Sequence, residues 1–132
     1  MTKFINDSRT VSVALCAGRH AMPEGVVGSV FPETLNPTDV DGMKAVAEAF
    51  ILANDDKAIN LVVTGLTVAA MAVVKAALDL IHASKVYVSL TLWHYDRDTG
   101  DYYPQEMLRF PDVCPHCGHV SYGEYFCSHC QC

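Results

Sequence analysis

Residues 59–82 read Ile59-Asn-Leu-Val-Val63, then Thr64-Gly65-Leu66-Thr67, then Val68-Ala-Ala-Met-Ala-Val-Val-Lys-Ala-Ala-Leu-Asp-Leu-Ile-His82. The first five are a short apolar run of the kind that forms a buried strand. The next four place a glycine among hydroxyl side chains, an elbow between two elements. The remainder predicts a helix from about Val68 to His82, with Ala69, Ala70, Ala72, Ala76 and Ala77 permitting close packing. Thr64, Gly65, Thr67, Lys75 and Asp79 interrupt the apolar stretch from Leu61 to Ile81. A membrane-spanning helix needs an uninterrupted run of roughly 18 residues. The expectation is therefore a buried strand entering a largely buried helix, and no membrane segment.

The same alternation extends on both sides. Val11 to Ala17 is a short apolar run closed by Gly18, which predicts a first buried strand. A long loop follows from Arg19 to Asn36, with a short strand around Val26 to Phe31. Asn36-Pro37-Thr38-Asp39 reads as a helix start, with a capping side chain, proline in the first position and an acidic residue in the first turn. Val40, Met43, Ala47 and Phe50 then recur at helical spacing to about Ala53. Beyond the second helix, Val86, Val88, Leu90 and Leu92 alternate with Tyr87, Ser89, Thr91 and Trp93, the period of a strand. Asp98-Thr99-Gly100-Asp101 reads as a hairpin turn returning through Tyr102 and Tyr103. Strand, helix, strand, helix, strand and hairpin predict a small three-layer α/β fold around a mostly parallel sheet.

From Pro111 the composition changes. The predicted division is an α/β nucleotide-binding domain over residues 1–110 and a zinc-ribbon tail over 111–132. Five of the six cysteines fall in the last 19 residues of this 132-residue chain. Cys114-Pro-His-Cys117 and Cys127-Ser-His-Cys130 are two CxxC pairs separated by nine residues. Zinc takes four soft ligands in a tetrahedron, and each CxxC offers two thiolates from one tight turn. Cys114, Cys117, Cys127 and Cys130 are thus the candidate ligands of a structural zinc ion. Cys132 and the histidines at 116, 119 and 129 leave a mixed site open. A closed tetrathiolate site is structural, and supplies roughly 10–16 kcal/mol toward folding a module with almost no core. Met1 to Thr10 is mixed and polar, without a secretory leader, so a reducing cytosol is expected.

Charge limits the partners. The chain carries nine Lys and Arg against fifteen Asp and Glu, a formal net charge of −6. Phe110 to Cys132 contains no Lys or Arg, while phosphate contacts depend on such cations. Long nucleic acids are therefore not expected partners. One small nucleotide in a local cationic pocket remains compatible.

In sheets of this type ligands settle at the carboxyl ends of the strands. Three segments are expected there: Gly18-Arg19-His20, Thr64-Gly65-Leu66-Thr67, and Trp93-His94-Tyr95-Asp96-Arg97-Asp98. Arg19 and Arg97 offer planar forks for phosphate, and a helix N-terminus at Gly65-Leu66-Thr67 offers amides and a dipole. Trp93 and Tyr95 could stack a base, His20 and His94 flank the site, and Asp96 or Asp98 could hold a ribose hydroxyl. Each also has a plain structural use: Thr64 as a helix cap, Trp93 or Tyr95 as core, Arg97 paired with a nearby carboxylate. The chain has no P-loop, GxGxxG, GxSxG or HExxH, and Cys16 lies mid-strand in an apolar setting where thiols are inert. Binding without turnover is the expectation. A ring nuclease cleaving a cyclic oligonucleotide, with His20 or His94 positioning a 2′-hydroxyl, is the alternative. A zinc-ribbon interaction adaptor is a third.

At Gly18-Arg19-His20, at Val63-Thr-Gly-Leu-Thr-Val-Ala69 and at His94-Tyr-Asp-Arg-Asp-Thr-Gly-Asp-Tyr102, the chain resembles the phage Thoeris anti-defence 1 proteins over about residues 11 to 107. The zinc tail stands outside that resemblance. The resemblance implies a sponge that sequesters cyclic nucleotide immune signals without degrading them, in the host bacterial cytosol. Implied ligands are cyclic ADP-ribose isomers, with cyclic oligonucleotides at a separate site in some members. It also implies a homo-oligomer, a hexamer, with pockets between subunits, and a ligand-contacting Arg-Asp pair at Arg97-Asp98. Arg19 and His20 rest on the physical argument alone.

Overall fold

The computed structural model describes residues 2–18, 22–109, 112–113 and 120–121. Its elements are β1 (Thr10–Cys16), β2 (Ser29–Phe31), α1 (Val40–Ala53), β3 (Ala58–Val62), α2 (Thr67–His82), β4 (Ser89–Asp96), β5 (Asp101–Leu108), β6 (Asp112–Val113) and β7 (Val120–Ser121). Five strands form one sheet in the order β2-β1-β3-β4-β5. β1 pairs in parallel with β2 and β3, β3 pairs in parallel with β4, and β5 runs antiparallel beside β4. The α/β alternation and the mostly parallel sheet are as the sequence predicts. None of the helices in the described residues is long and apolar enough to cross a membrane.

The expected third layer is not helical. α1 and α2 pack against each other, so both lie on one face of the sheet. Lys44 of α1 also reaches Asp79 of α2, with Nζ 3.2 Å from Oδ2. Their core is built from Val13 and Leu15 of β1, Ile59 and Leu61 of β3, and Leu90 and Leu92 of β4, all buried beneath Met43, Ala47, Ile51, Val73, Ala76 and Ala77. The small α2 residues bring its backbone close to both neighbours, as their spacing suggests.

The opposite face is covered by irregular chain. Residues 2–7 form a strap across it, joined by the segment around Glu24 and Gly25. The Phe4 amide donates to the Glu24 carbonyl (2.9 Å), and the Asn6 amide side chain donates to the Gly25 carbonyl. Gly25 has φ +96, and a Cβ there would overlap the Phe4 carbonyl, so this close approach requires glycine. A hydrogen-bonded row crosses the strands underneath. Ser12 Oγ donates to the Ile5 carbonyl (2.8 Å), Asn60 Nδ2 to Ser12 Oγ (3.1 Å), and Trp93 Nε1 to Asn60 Oδ1 (3.1 Å). This row explains a buried serine and a polar Asn60 inside otherwise apolar strands: each polar group has a partner, which removes its desolvation cost.

Local signals shift two boundaries. Asn36 Oδ1 accepts from the Thr38 amide (3.1 Å) and hydroxyl (2.8 Å), so Asn36 closes its own turn before Pro37 can begin a helix. The N-cap is Asp39, whose Oδ1 accepts from the Gly42 amide at 3.0 Å. The third long strand begins at Ser89, later than its alternation suggests. Lys57 and the preceding turn present no strand for residues 86–88 to pair with, although Val86 and Val88 are buried. It then continues to Asp96 because β5 pairs with it as far as Asp96↔Asp101.

Candidate functional site

The chain leaves β1 toward β2 on one side, and leaves β3 through α2 toward β4 on the other. The loops that follow these adjacent strands therefore diverge, and the crevice between them is the sheet's topological switch point. On one wall stand Ala17 and Gly18 (φ +70), and on the other Thr64, Gly65 (φ +91), Leu66 and Thr67. Thr64 is 3% exposed. Its hydroxyl donates to the Cys16 carbonyl (3.4 Å) and its oxygen lies 3.5 Å from the Cys16 amide. Thr64 thus ties the carboxyl ends of β1 and β3 together, in place of the helix cap its position suggests.

α2 starts without a side-chain cap. Leu66 occupies the N-cap position in an extended conformation, no side chain among the described residues caps the first turn, and no acidic residue lies in it. Gly65 turns the chain in a left-handed conformation that other residues rarely adopt. Thr67 is exposed and Leu66 half-buried. The first amides of a helix have no intrahelical partner and carry the positive end of its dipole, so this end suits an anion. Sequence reasoning missed Glu33, which follows β2 at the same edge. A Cβ on Gly18 would run into its side chain, so the carboxylate stands over the Gly18 wall. The only signal for it was its place two residues after the short strand.

The third predicted segment lies along the end of β4, where the Val63 amide, next to Thr64, donates to the Trp93 carbonyl (2.9 Å), and continues into the hairpin turn. The last β3–β4 pair is Val62↔Trp93, so His94, Tyr95 and Asp96 overrun β3 by three residues, roughly 10 Å at strand spacing. Successive side chains point to opposite faces. Trp93 faces the strap, where its ring meets Phe4 edge to face, centroids 5.1 Å apart. Tyr95 faces the same way, 54% exposed, its ring 5.4 Å from that of Tyr102. His94 faces the helix side, with Nε2 2.8 Å from Gln105 Oε1 and its ring beside Tyr103. Arg97 and Asp98 are exposed at the hairpin tip, where the Asp98 amide donates to Asp96 Oδ1 (2.9 Å). Arg97 makes no ion pair among the described residues.

The hairpin is pinned to the strap. The Asp101 carboxylate accepts from the Thr2 amide (2.9 Å) and the Tyr102 amide (2.8 Å). These bonds, that from Thr2 foremost, hold its pKa down at about 2. Burial pushes the neighbouring Tyr102 hydroxyl up, with Tyr95 and Asp101 adding to it.

Arg19 and His20 lie outside the described residues, as do Cys114, Cys117, Cys127 and Cys130. Among the described residues no group of three or more His, Cys, Asp and Glu could hold a metal ion. The described chain is thus an open α/β sheet whose topological switch point lies between β1 and β3, with a hairpin that runs past the end of β3. No family model, no curated protein and no solved structure matches it.

Proposed function

We propose that this protein binds a small phosphate-bearing nucleotide at the switch-point crevice and sequesters it without cleavage. The observation that carries this reading is the Thr64 tie between the carboxyl ends of β1 and β3, beside a helix N-terminus with no side-chain cap among the described residues. Amides at Gly65, Leu66 and Thr67 would take a phosphate, and Arg19, next to Gly18, would supply a second pair of donors. Glu33, beside Gly18, would accept from a ribose hydroxyl, the role first assigned to Asp96 or Asp98. A cyclic ADP-ribose isomer or a cyclic oligonucleotide is the ligand that the resemblance to the phage Thoeris anti-defence 1 proteins suggests, and withholding it would block bacterial anti-phage defence.

Arg97 fits this reading through a homo-oligomer. The hairpin tip holds it exposed and with no ion pair among the described residues, where it would serve the pocket of a neighbouring copy. We also propose a structural zinc ion on Cys114, Cys117, Cys127 and Cys130. β6 ends immediately before Cys114 and β7 begins immediately after His119, and the two strands pair antiparallel through Val113↔Val120. The two CxxC pairs, nine residues apart, offer the four thiolates that such an ion takes.

The test incubates the protein with cyclic ADP-ribose isomers and cyclic oligonucleotides, measures binding, then denatures the complex and analyses what is released. Intact ligand is the expected result. A linear product would replace the sponge with a ring nuclease, and absence of binding would overturn the nucleotide reading.

A further inference from the structure

α1 is apolar on two sides. Met43, Ala47 and Ile51 are buried in the core. On the side turned away from them lie Ala45, Val46, Ala49, Leu52 and Ala53, all exposed, Val46 by 43% and Leu52 by 49%. At 3.6 residues per turn these five span an arc of about 120°, with Ala49 nearly opposite the buried stripe. The helix keeps its charge elsewhere: Lys44 Nζ is 3.7 Å from Glu48 Oε1 and 3.2 Å from Asp79 Oδ2, beside α2. The outward stripe of α2, by contrast, interrupts Met71 and Leu78 with Lys75 and His82. A surface helix carries polar residues opposite its core face, and one that is apolar on both faces is ordinarily covered.

The arrangement of the five points to what covers them. The set is symmetric about Ala49: position 45 mirrors 53, and 46 mirrors 52. Two copies of α1 laid antiparallel about a two-fold axis at Ala49 therefore meet apolar on apolar, Val46 of each against Leu52 of the other. Self-complementarity of this kind is what a two-fold contact requires. Alanine at the crossing lets the axes approach to about 8 Å, the close end of helix packing. Charge obeys the same symmetry. Asp41, exposed in the first turn, mirrors Lys57 in the turn beyond the helix, and Lys57 makes no ion pair among the described residues. Asp55 and Asp56 at that end are already engaged, Asp55 by the Tyr87 amide (2.7 Å) and Asp56 by Arg9 (3.9 Å). Antiparallel helices also set dipole ends of opposite sign side by side. We propose that the outer face of α1 is covered by α1 of a second copy, antiparallel about a two-fold axis at Ala49, with Val46 and Leu52 as its apolar anchors. This rests on the homo-oligomer part of the reading above, to which it gives one contact, and on no nucleotide.

Sedimentation velocity on the full chain, at several protein concentrations and without nucleotide, tests it with Val46→Glu, Leu52→Lys and the two combined. Each single substitution puts an unpaired charge into the apolar contact and is expected to reduce the mass of the assembly by half or more. The combined variant sets opposite charges across the axis and is expected to restore the wild-type mass. Positions 46 and 52 are not neighbours on one helix, so the two charges pair only between copies. Helical circular dichroism should match the wild type throughout, because both positions are exposed; should one single variant lose that signal, the other decides. A wild type that is monomeric at every concentration overturns the proposal. So do single variants of full mass, or a combined variant that stays dissociated. Ligand binding is read separately, so loss of the nucleotide reading would leave this contact standing, and the reverse.

Discussion

The Trp93 indole meets the Phe4 ring edge to face, with centroids 5.1 Å apart and planes at 83°, while its Nε1 donates to Asn60. Both its ring and its nitrogen are engaged, so it fastens the N-terminal strap to the sheet. Phe4 is 8% exposed. Phe4→Ala should cost about 3 kcal/mol of stability in urea unfolding. Because Trp93 is the single tryptophan, its emission should shift to the red in the variant. Unchanged emission would mean the strap does not cover the indole in solution.

Thr64 ties β1 to β3 through the Cys16 backbone, and Val keeps its shape while removing the hydroxyl. The two contacts are long, at 3.4 and 3.5 Å. Thr64→Val should therefore cost only about 1 kcal/mol. It should weaken nucleotide binding, because the two crevice walls lose their link, and Thr64→Ser should restore it. Equal affinity in all three proteins, measured calorimetrically, would remove Thr64 from the site.

Acid should loosen the hairpin from the strap. The Asp101 pKa in the folded chain is about 2, below its ordinary 3.8, so its charge stabilises the fold above pH 3.8. That contribution fades as pH falls from 3.8 through about 2. Hydrogen bonds from Lys75 and Lys44 also hold the Asp79 carboxyl below its ordinary range, and it acts in the same direction. Urea midpoints at pH 5 and pH 2.5 should converge more closely for Asp101→Asn than for the wild type. An equal drop in both proteins would contradict the Thr2–Asp101 bond.

Arg97→Ala should weaken nucleotide binding at least ten-fold, the size of a lost charge-assisted hydrogen bond. Fold and oligomer size should be unchanged, since Arg97 is exposed and has no ion-pair partner among the described residues. If it serves a neighbouring copy, mixing Arg97→Ala subunits with subunits altered at the crevice should restore a fraction of the pockets. No restoration would place Arg97 in its own chain's pocket.

Elemental analysis should find about one zinc ion per chain, lost in Cys114→Ser. Chelation should unfold residues 111–132 and leave the α/β domain's helical signal intact, because the buried residues described in that domain's core run from Val13 to Leu92. Absence of zinc in the purified protein would remove the metal reading.

Element types and order were legible in the sequence because they depend on local periodicity. The apolar runs at Val11–Ala17 and Ile59–Val63, the alanine-rich helix and the alternation at Val86–Trp93 each announce themselves within a dozen residues. The spacing of the cysteines likewise defines a metal-ligand motif without reference to the rest of the chain. Tertiary structure alone decided which groups meet. Strand order and crossover direction put both helices on one face and a strap on the other, and they brought Thr64 to Cys16 across 48 positions of sequence. The pleat then divided Trp93 and Tyr95 from His94, and pairing with β5 as far as Asp96↔Asp101 set Arg97 in the exposed hairpin turn. A run of apolar residues states that a strand is buried. Which face each side chain takes, and what it finds there, is set by distant segments packing against it.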